Sequence, residues 1–310
     1  MQLQTELVRI LLILGPTSLV VWYFVFRHYG ERLWAGVLLS YAWQFQWRTL
    51  LYAAGVSLGL WQFGYNEFTL YGVPLDLVFG MSVLTGPVVI LALPRVPVFW
   101  IALLDIVLLN TLLPVSTHSF SASLILSAVS LFTVMPGIWL GRWTSTDTHL
   151  LKRAALQPLA WTLLLFWLFP SLFFQITGDS WSVVFIRELW FNGLLLLPMC
   201  LPAALIGSAL YEFAVRGGGT GFPYDPPKRL VTSGIYKYLA NPMQVGIVLG
   251  MGWWGVILGS APVSASGLVA VMLFIVFKDV CNGSCRIGRT DPNWKHYQQT
   301  VPKWIPRRPS

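Results

Sequence analysis

The residue types in this chain best suited to chemistry are gathered between Arg216 and Gly246, in the run RGGGTGFPYDPPKRLVTSGIYKYLANPMQVG. Gly217, Gly218 and Gly219, with Gly234 further on, let the backbone approach a ligand closely or adopt positive φ. Asp225-Pro226-Pro227 locks a turn, and Lys228, Arg229 and Lys237 supply a cluster of cations. Asn241 precedes Pro242, which drives it out of helical geometry and into the N-cap position of the next helix. Free N–H groups at such a helix start suit a carboxylate, and the faces of Tyr236 and Tyr238 suit a cationic centre. A loop this long is functional or disordered, and its regular Pro, Gly, Tyr and Lys/Arg punctuation favours order.

Chemistry elsewhere is sparser. Asp76 and Asp105 fall inside or at the edge of apolar runs, where a carboxylate costs a few kcal/mol and is a functional candidate by default. The plainer reading is local pairing: Asp76 as a helix N-terminal residue after Pro74, and Asp105 bonded to Asn110. Cys281 and Cys285 are four apart and share a helix face. Two thiols without a matching His spacing do not make a zinc site, so no metal is expected, and a reducing cytosol disfavours a disulfide. The sequon Asn282-Gly283-Ser284 is inert on a cytoplasmic face. The stretch Gly141 to Arg153, GRWTSTDTHLLKR, reads as a solvated connector with a capping Ser/Thr/Asp run; its alternative is a headgroup contact through Lys152 and Arg153.

The elements that position these residues are membrane helices. With 56% hydrophobic residues, 10% charged and sixteen Trp, the composition is that of a polytopic membrane protein. Apolar runs long enough to cross a core of about 30 Å as helices fall near 7–26, 36–63, 74–93, 97–114, 120–140, 155–175, 186–209, 243–259 and 264–280. The expected fold is therefore an all-α membrane bundle of about nine transmembrane helices. Gln44, Gln46 and Arg48 interrupt the second run, so residues 33–47 have an interfacial alternative. Pro87, Pro170, Pro198 and Pro202 read as kinks, because neighbouring helices can satisfy the carbonyls they free. With nine spans and a cytoplasmic carboxyl terminus, the outer loops hold no Lys or Arg, which is the positive-inside pattern. The net charge of +8 then reads as topology plus attraction to anionic membrane lipids, with no nucleic-acid partner. The first span lacks a small-residue cleavage site and reads as a retained anchor.

The end of the polar run, LVTSGIYKYLANPMQVG, resembles the cofactor-binding signature of the isoprenylcysteine carboxyl methyltransferase and phospholipid methyltransferase superfamily. There a Gly-x-Tyr pair, here Gly234 and Tyr236, precedes an Arg-His/Asn-Pro-x-Tyr-x-Gly run. The preceding GGGTGFPYDPPKRLV is similar to the leading loop of bacterial members, and WKHYQQTVPKWIP, Trp294 to Pro306, to the closing Tyr-x-x-Tyr…Val-Pro element. Together these cover about the last hundred residues. Ala240 stands where the family has Arg, Gln244 where it has Tyr, and Asn282 and Gly283 where it has an acidic pair.

The resemblance implies a division into 1–209, a multi-span region of unassigned role, and 210–310, a methyltransferase-like module with a cytoplasmic loop and tail in a bacterial inner membrane. It implies S-adenosylmethionine as cofactor, walled by Gly234, Tyr236, Asn241, Pro242 and Gly246 and closed by a strap of His296, Tyr297 and Pro302. Catalytic candidates are Asn241, Tyr236 and Asp279, and Glu212 or Asp279 can supply the missing carboxylate. The partner implied is a lipophilic or lipidated acceptor entering from the bilayer: a prenylated carboxylate, a lipid amine, or an isoprenoid-like hydroxyl or thiol. Two other readings stand beside it. One is a catalytically degenerate lipid-binding or scaffold protein; the other is a transporter or isoprenoid-modifying front half, using Asp76 and Asp105, fused to the module. An oligomer is compatible with the sequence but not indicated by it.

Overall fold

The computed structural model describes residues 2–27, 30–64, 68–111, 115–221, 225, 227–281 and 291–307. It contains two compact units, Met1–His149 and Leu150–Ser310.

The first unit comprises α1 (Gln2–Phe26), α2 (Glu31–Ser57), α3 (Leu75–Thr85), α4 (Pro87–Ala92), α5 (Val98–Thr111) and α6 (Phe120–Ser145). Two short antiparallel ribbons join them, so the unit is not purely helical. β1 (Trp61–Phe63) pairs with β4 (Val115–Thr117), and β2 (Thr69–Leu70) with β3 (Val73–Pro74). The apolar run 36–63 is therefore a helix that stops at Ser57. Gly59 takes φ +66 and Leu60 N–H bonds Gly55 O at 2.9 Å, which turns the chain into β1. The Trp61 indole then lies over Gly55 and donates to Tyr52 O at 3.3 Å.

Helices α2 and α6 touch through their backbones. A side chain on Gly36 would strike Gly141 O, and one on Gly141 would lie 2.8 Å from Gly36 O; small residues permit this approach where apolar bulk cannot drive it. The polar interruption of α2 is resolved at the same interface. Arg48 and Asp105 form a fully buried ion pair at 2.7 Å. Arg48 also donates to Thr85 Oγ1 at 3.1 Å and to Gln44 Oε1 at 3.4 Å, and Ser130 donates to the other oxygen of Asp105. Asp105 is thus paired, but across helices; Asn110 instead bonds Ile106 O at 2.8 Å. Asp76 is the second residue of α3, and its carboxylate accepts from Leu77 N–H. Residues 35–48 of α2 are largely buried, as packing in a bundle requires and a surface-lying helix does not.

The second unit begins with α7 (Leu150–Leu163), a π-type turn (Leu164–Leu168) and α8 (Phe169–Thr177), followed by α9 (Ser182–Ile186), α10 (Leu189–Leu196) and a 3₁₀ turn (Leu197–Met199). Then come α11 (Cys200–Glu212), a second π-type turn (Phe213–Gly217), a 3₁₀ turn (Gly234–Lys237), α12 (Pro242–Leu258), α13 (Ala261–Cys281) and α14 (Trp294–Thr300). Pro170 has no N–H to give Phe166 O four residues earlier. The Trp254 indole supplies the missing donor at 2.9 Å, and the Trp253 indole donates to Leu195 O at 2.7 Å. The guanidinium of Arg187 donates to Ile257 O at 2.6 Å, placing a cation at the carboxyl end of α12.

Each of the nine expected apolar stretches contains helix. Among the described residues four are long and apolar enough to cross a membrane: Leu75–Ala92, Phe120–Ser145, Leu150–Thr177 and Leu189–Gly217. Ile10–Phe26, Val98–Thr111, Pro242–Leu258 and Ala261–Met272 are further apolar helical stretches, the first and last of them parts of the longer helices α1 and α13.

Removing Asp105 leaves the Arg48 guanidinium buried without its counter-ion. Asp105→Ala should cost about 3–5 kcal/mol, seen as a large fall in the thermal unfolding midpoint of detergent-purified protein. The paired replacement Arg48→Met with Asp105→Leu should recover most of it. An Asp105→Ala protein as stable as wild type would rule out the pair as the centre of this unit.

Candidate functional site

The polar run folds back on itself at the end of α11. Glycine is spent first on the turn: Gly218 has φ +66, and Gly217 sits so close to Pro227 that a Cβ would come within 2.6 Å of its side chain. The amides of Lys228 and Arg229 both donate to Gly217 O, at 2.7 and 3.2 Å, and Thr220 N–H closes the loop on Asp225 O at 2.9 Å. The Asp225 carboxylate accepts from the Thr220 hydroxyl at 3.2 Å and is ion-paired with Arg153 of α7. Arg153 is fully buried. The stretch Gly141–Arg153 is therefore not a solvated connector throughout: its last residue enters the interior because a carboxylate waits there.

Further along, Ser233 and Gly234 rest on the end of α11. The Ser233 hydroxyl donates to Glu212 Oε2 at 2.5 Å, and Arg216 pairs with the same oxygen at 3.1 Å. Gly234 takes φ +56, and any side chain there would collide with the Glu212 carboxylate. Both facts require glycine. Tyr236 is buried with its ring stacked on Phe213, centroids 4.9 Å apart and planes within 5°. Its hydroxyl has no hydrogen-bond partner. Burial, with Tyr297 and Glu212 nearby, holds that hydroxyl well above the usual phenol range, so Tyr236 is a hydrogen-bond donor at neutral pH and not a base.

The carboxyl-terminal tail lies across this turn. The Tyr297 hydroxyl donates to Tyr236 O at 3.0 Å, Ala240 N–H to Pro302 O at 2.9 Å and Arg307 N–H to Tyr238 O at 3.3 Å. Ala240, where the resemblance leads one to expect Arg, contributes backbone to the strap. Asn241 (φ −123, ψ 55) occupies the N-cap position of α12 but makes no side-chain cap bond, and Pro242 follows at N1. The first N–H groups of α12 therefore have no partner within the helix. Met243 at this start packs near Gly221 and Leu210, which brings the loop, the end of α11 and the beginning of α12 together.

Of the residues singled out from sequence, Gly234, Tyr236, Tyr297 and Pro302 meet here, with Asn241 and Pro242 at the adjoining helix start. Gly246 faces α11, where a Cβ would press on Ile206 Cγ1 at 2.6 Å; its role is close helix packing. His296 is exposed and points away from the strap contact. Asp279 lies on α13, and its side chain is outside the described residues, as are Asn282, Gly283 and Cys285. Phe213 and Ser233 escaped the sequence reading, which gave Arg153 only a headgroup contact as the alternative to a solvated connector. The pairing of Arg153 with Asp225 had no signal in the sequence, because the two lie 72 residues apart. No group of three or more metal-ligating side chains occurs among the described residues.

The residues present fit S-adenosylmethionine. An uncapped helix start suits its carboxylate, Glu212 suits an ammonium or ribose hydroxyl, and the unpartnered Tyr236 hydroxyl can donate to an acceptor on it. Residues 196–282 match the family model described as phospholipid methyltransferase, from the end of α10 through α13. No curated protein and no solved structure matches the chain.

The strap carries a pH dependence. Burial pushes the Tyr297 hydroxyl up to about 12, whereas a released phenol ionises near 10. The docked form thus retains a proton that the released form loses, so docking is fully stable below about pH 10 and weakens as pH rises from about 10 to 12. A spin label on exposed Gln298 (Gln298→Cys, other cysteines replaced) should gain mobility over that interval. In Tyr297→Phe it should already be mobile at pH 8. A label equally restrained in both proteins would remove the Tyr297 bond from the account.

Proposed function

We propose, from the match of residues 196–282 to the phospholipid methyltransferase family model, that the unit Leu150–Ser310 transfers a methyl group from S-adenosylmethionine to a lipophilic acceptor drawn from the bilayer. The observation that carries the reading is the buried, unpartnered Tyr236 hydroxyl beside the Glu212 carboxylate, under a glycine that admits no side chain. Buried donors are seldom left unpaired unless something else completes them.

When bound, S-adenosylmethionine supplies an electrophilic methyl on a sulfonium centre. What the chain contributes is placement. The α12 start and Glu212 hold opposite charges of the donor, the Phe213–Tyr236 stack supplies a rigid aromatic wall, and the strap through Tyr297 and Pro302 keeps water away. Proximity and orientation of this kind supply roughly 7–11 kcal/mol of a barrier, enough that no covalent catalysis is needed. Tyr236, protonated, orients and does not abstract; the acceptor brings its own lone pair.

The acceptor's character follows from α10 and α11. Leu189, Trp190, Leu194, Leu197 and Leu201 are all exposed, a surface that suits lipid tails. A greasy acceptor reaching the site sideways is the reading this supports, with its oxygen, nitrogen or sulfur nucleophile at the polar end of α11. On this reading that end, the loop and the strap face the cytosol, where the donor is made, and the positive-charge pattern of the loops supports it.

Calorimetry on the full-length protein should show S-adenosylhomocysteine binding. Glu212→Gln should weaken it by about 1.5–3 kcal/mol, roughly tenfold to a hundredfold. Incubation with methyl-labelled donor and a lipid extract, read by mass spectrometry, should label a membrane lipid or prenylated species. A well-folded wild type that binds neither donor nor product would favour the lipid-binding scaffold reading, for which Ala240 and Gln244 already speak.

A further inference from the structure

One buried side chain in the second unit has no place in the account above. Gln157 of α7 is only 2% exposed, and neither its Nε2 nor its Oε1 has a hydrogen-bond partner. Among the described residues it is the one side chain with two such atoms. An amide with donor and acceptor both orphaned is costly, and it is complementary to a ligand edge that presents one acceptor and one donor side by side.

Its position connects it to the loop. Gln157 is four residues after Arg153, so the two lie on one face of α7. Arg153 is ion-paired with Asp225, and both are almost fully buried. Asp225 is the sole carboxylate between Gly217 and Gly246. Its neighbours in sequence, Lys228 and Arg229, are exposed, yet the carboxylate turns inward to a helix more than seventy residues earlier in the chain. The loop between Gly217 and Thr220 has no apolar side chain to bury, so this pair and the Thr220 bond supply what apolar packing does not. α7 also packs on the turn Phe213–Gly217, the turn whose Phe213 carries the Tyr236 ring. Helix α7, which carries Arg153 and Gln157, and the ring of Tyr236 therefore both pack on one short segment of chain.

We propose that α7, which lies outside the family-matched residues 196–282, supplies part of the ligand site: Gln157 hydrogen-bonds the donor–acceptor edge of the cofactor's adenine, and Arg153, through Asp225, positions the loop that brings the base there. Adenine presents an amino donor beside a ring-nitrogen acceptor, the pair that a carboxamide reads in bidentate fashion. The proposal rests on the methyltransferase reading and adds a specificity determinant to it. The two residues have separable consequences: Gln157 governs which base is accepted, Arg153 how firmly any donor is held.

The test is calorimetry on full-length protein with S-adenosylhomocysteine and its deaminated inosine analogue, in which the N6 amino donor becomes a carbonyl, so that the N6/N7 edge presents two acceptors in place of a donor beside an acceptor. Wild type should prefer the adenine compound by roughly tenfold. Gln157→Met, close in shape and apolar, should bring the ratio of the two affinities near one while leaving the thermal midpoint unchanged or raised, since it removes an orphaned polar group. Asp225→Asn should weaken both ligands alike and keep the ratio. A Gln157→Met protein that retains the preference overturns the proposal; a lowered midpoint with the preference intact shows that the amide serves the fold. Wild type that binds both compounds equally overturns it while sparing the methyltransferase reading, and wild type that binds neither overturns both.

Discussion

Polar groups carried into an apolar bundle must find their partners within the protein, because hydrocarbon offers none. That constraint organises both units. Pro170 frees the Phe166 carbonyl and Trp254 is there to meet it. Arg48 interrupts α2 and draws Asp105 and Thr85 to itself from other helices and Gln44 from its own. Ser and Thr hydroxyls return to the carbonyl four residues back, as Thr49 does to Phe45 O and Thr144 to Leu140 O. Where side chains cannot be used at all, backbones meet, as at Gly36 and Gly141.

The same constraint shapes the polar loop of the second unit. Its first part, Gly217–Gly221, has no apolar side chain and would lose heavily in conformational entropy on ordering, whereas Val231, Tyr236 and Leu239 anchor its later part in the interior. The loop is also held by charge and by its own main chain: Asp225 to Arg153, two amides to Gly217 O, Ser233 to Glu212. The tail then adds three bonds to the turn at 236–240, two of them wholly between backbones. Backbone pairing tolerates side-chain change, which is why Ala240 can stand in this position without loosening the strap.

Helices were the legible part of this chain, because twenty-residue apolar runs have few other interpretations. Their ends were less so. Leu58, Leu60, Trp61 and Phe63 continue the apolar pattern past Ser57, and what halts the helix is the left-handed Gly59. Asp105 announced itself as a buried carboxylate, but its partner could not be read, since nothing local ties position 105 to position 48. The pairing of Arg153 with Asp225 escaped for the same reason. At the site, Gly234, Tyr236, Tyr297 and Pro302 were legible through a resemblance of motif, with no periodicity to reveal them. His296 came with the same motif but is turned outward: adjacent residues on a helix point about 100° apart, so an inward Tyr297 takes His296 away from the turn.

The exceptions to polar satisfaction then become informative. An unpaired buried donor or acceptor costs roughly 1–3 kcal/mol, a sizeable part of the net stability of any fold. Several of the orphans belong to side chains whose other atoms are bonded: Arg48 Nε beside nitrogens that reach Asp105 and Thr85, and Asn192 Oδ1 beside an Nδ2 that donates to Val184 O. The Gln157 amide has no bond at either end, and the Tyr236 hydroxyl none at all. On the proposed reading these two groups are the ones that a nucleoside-bearing methyl donor would complete.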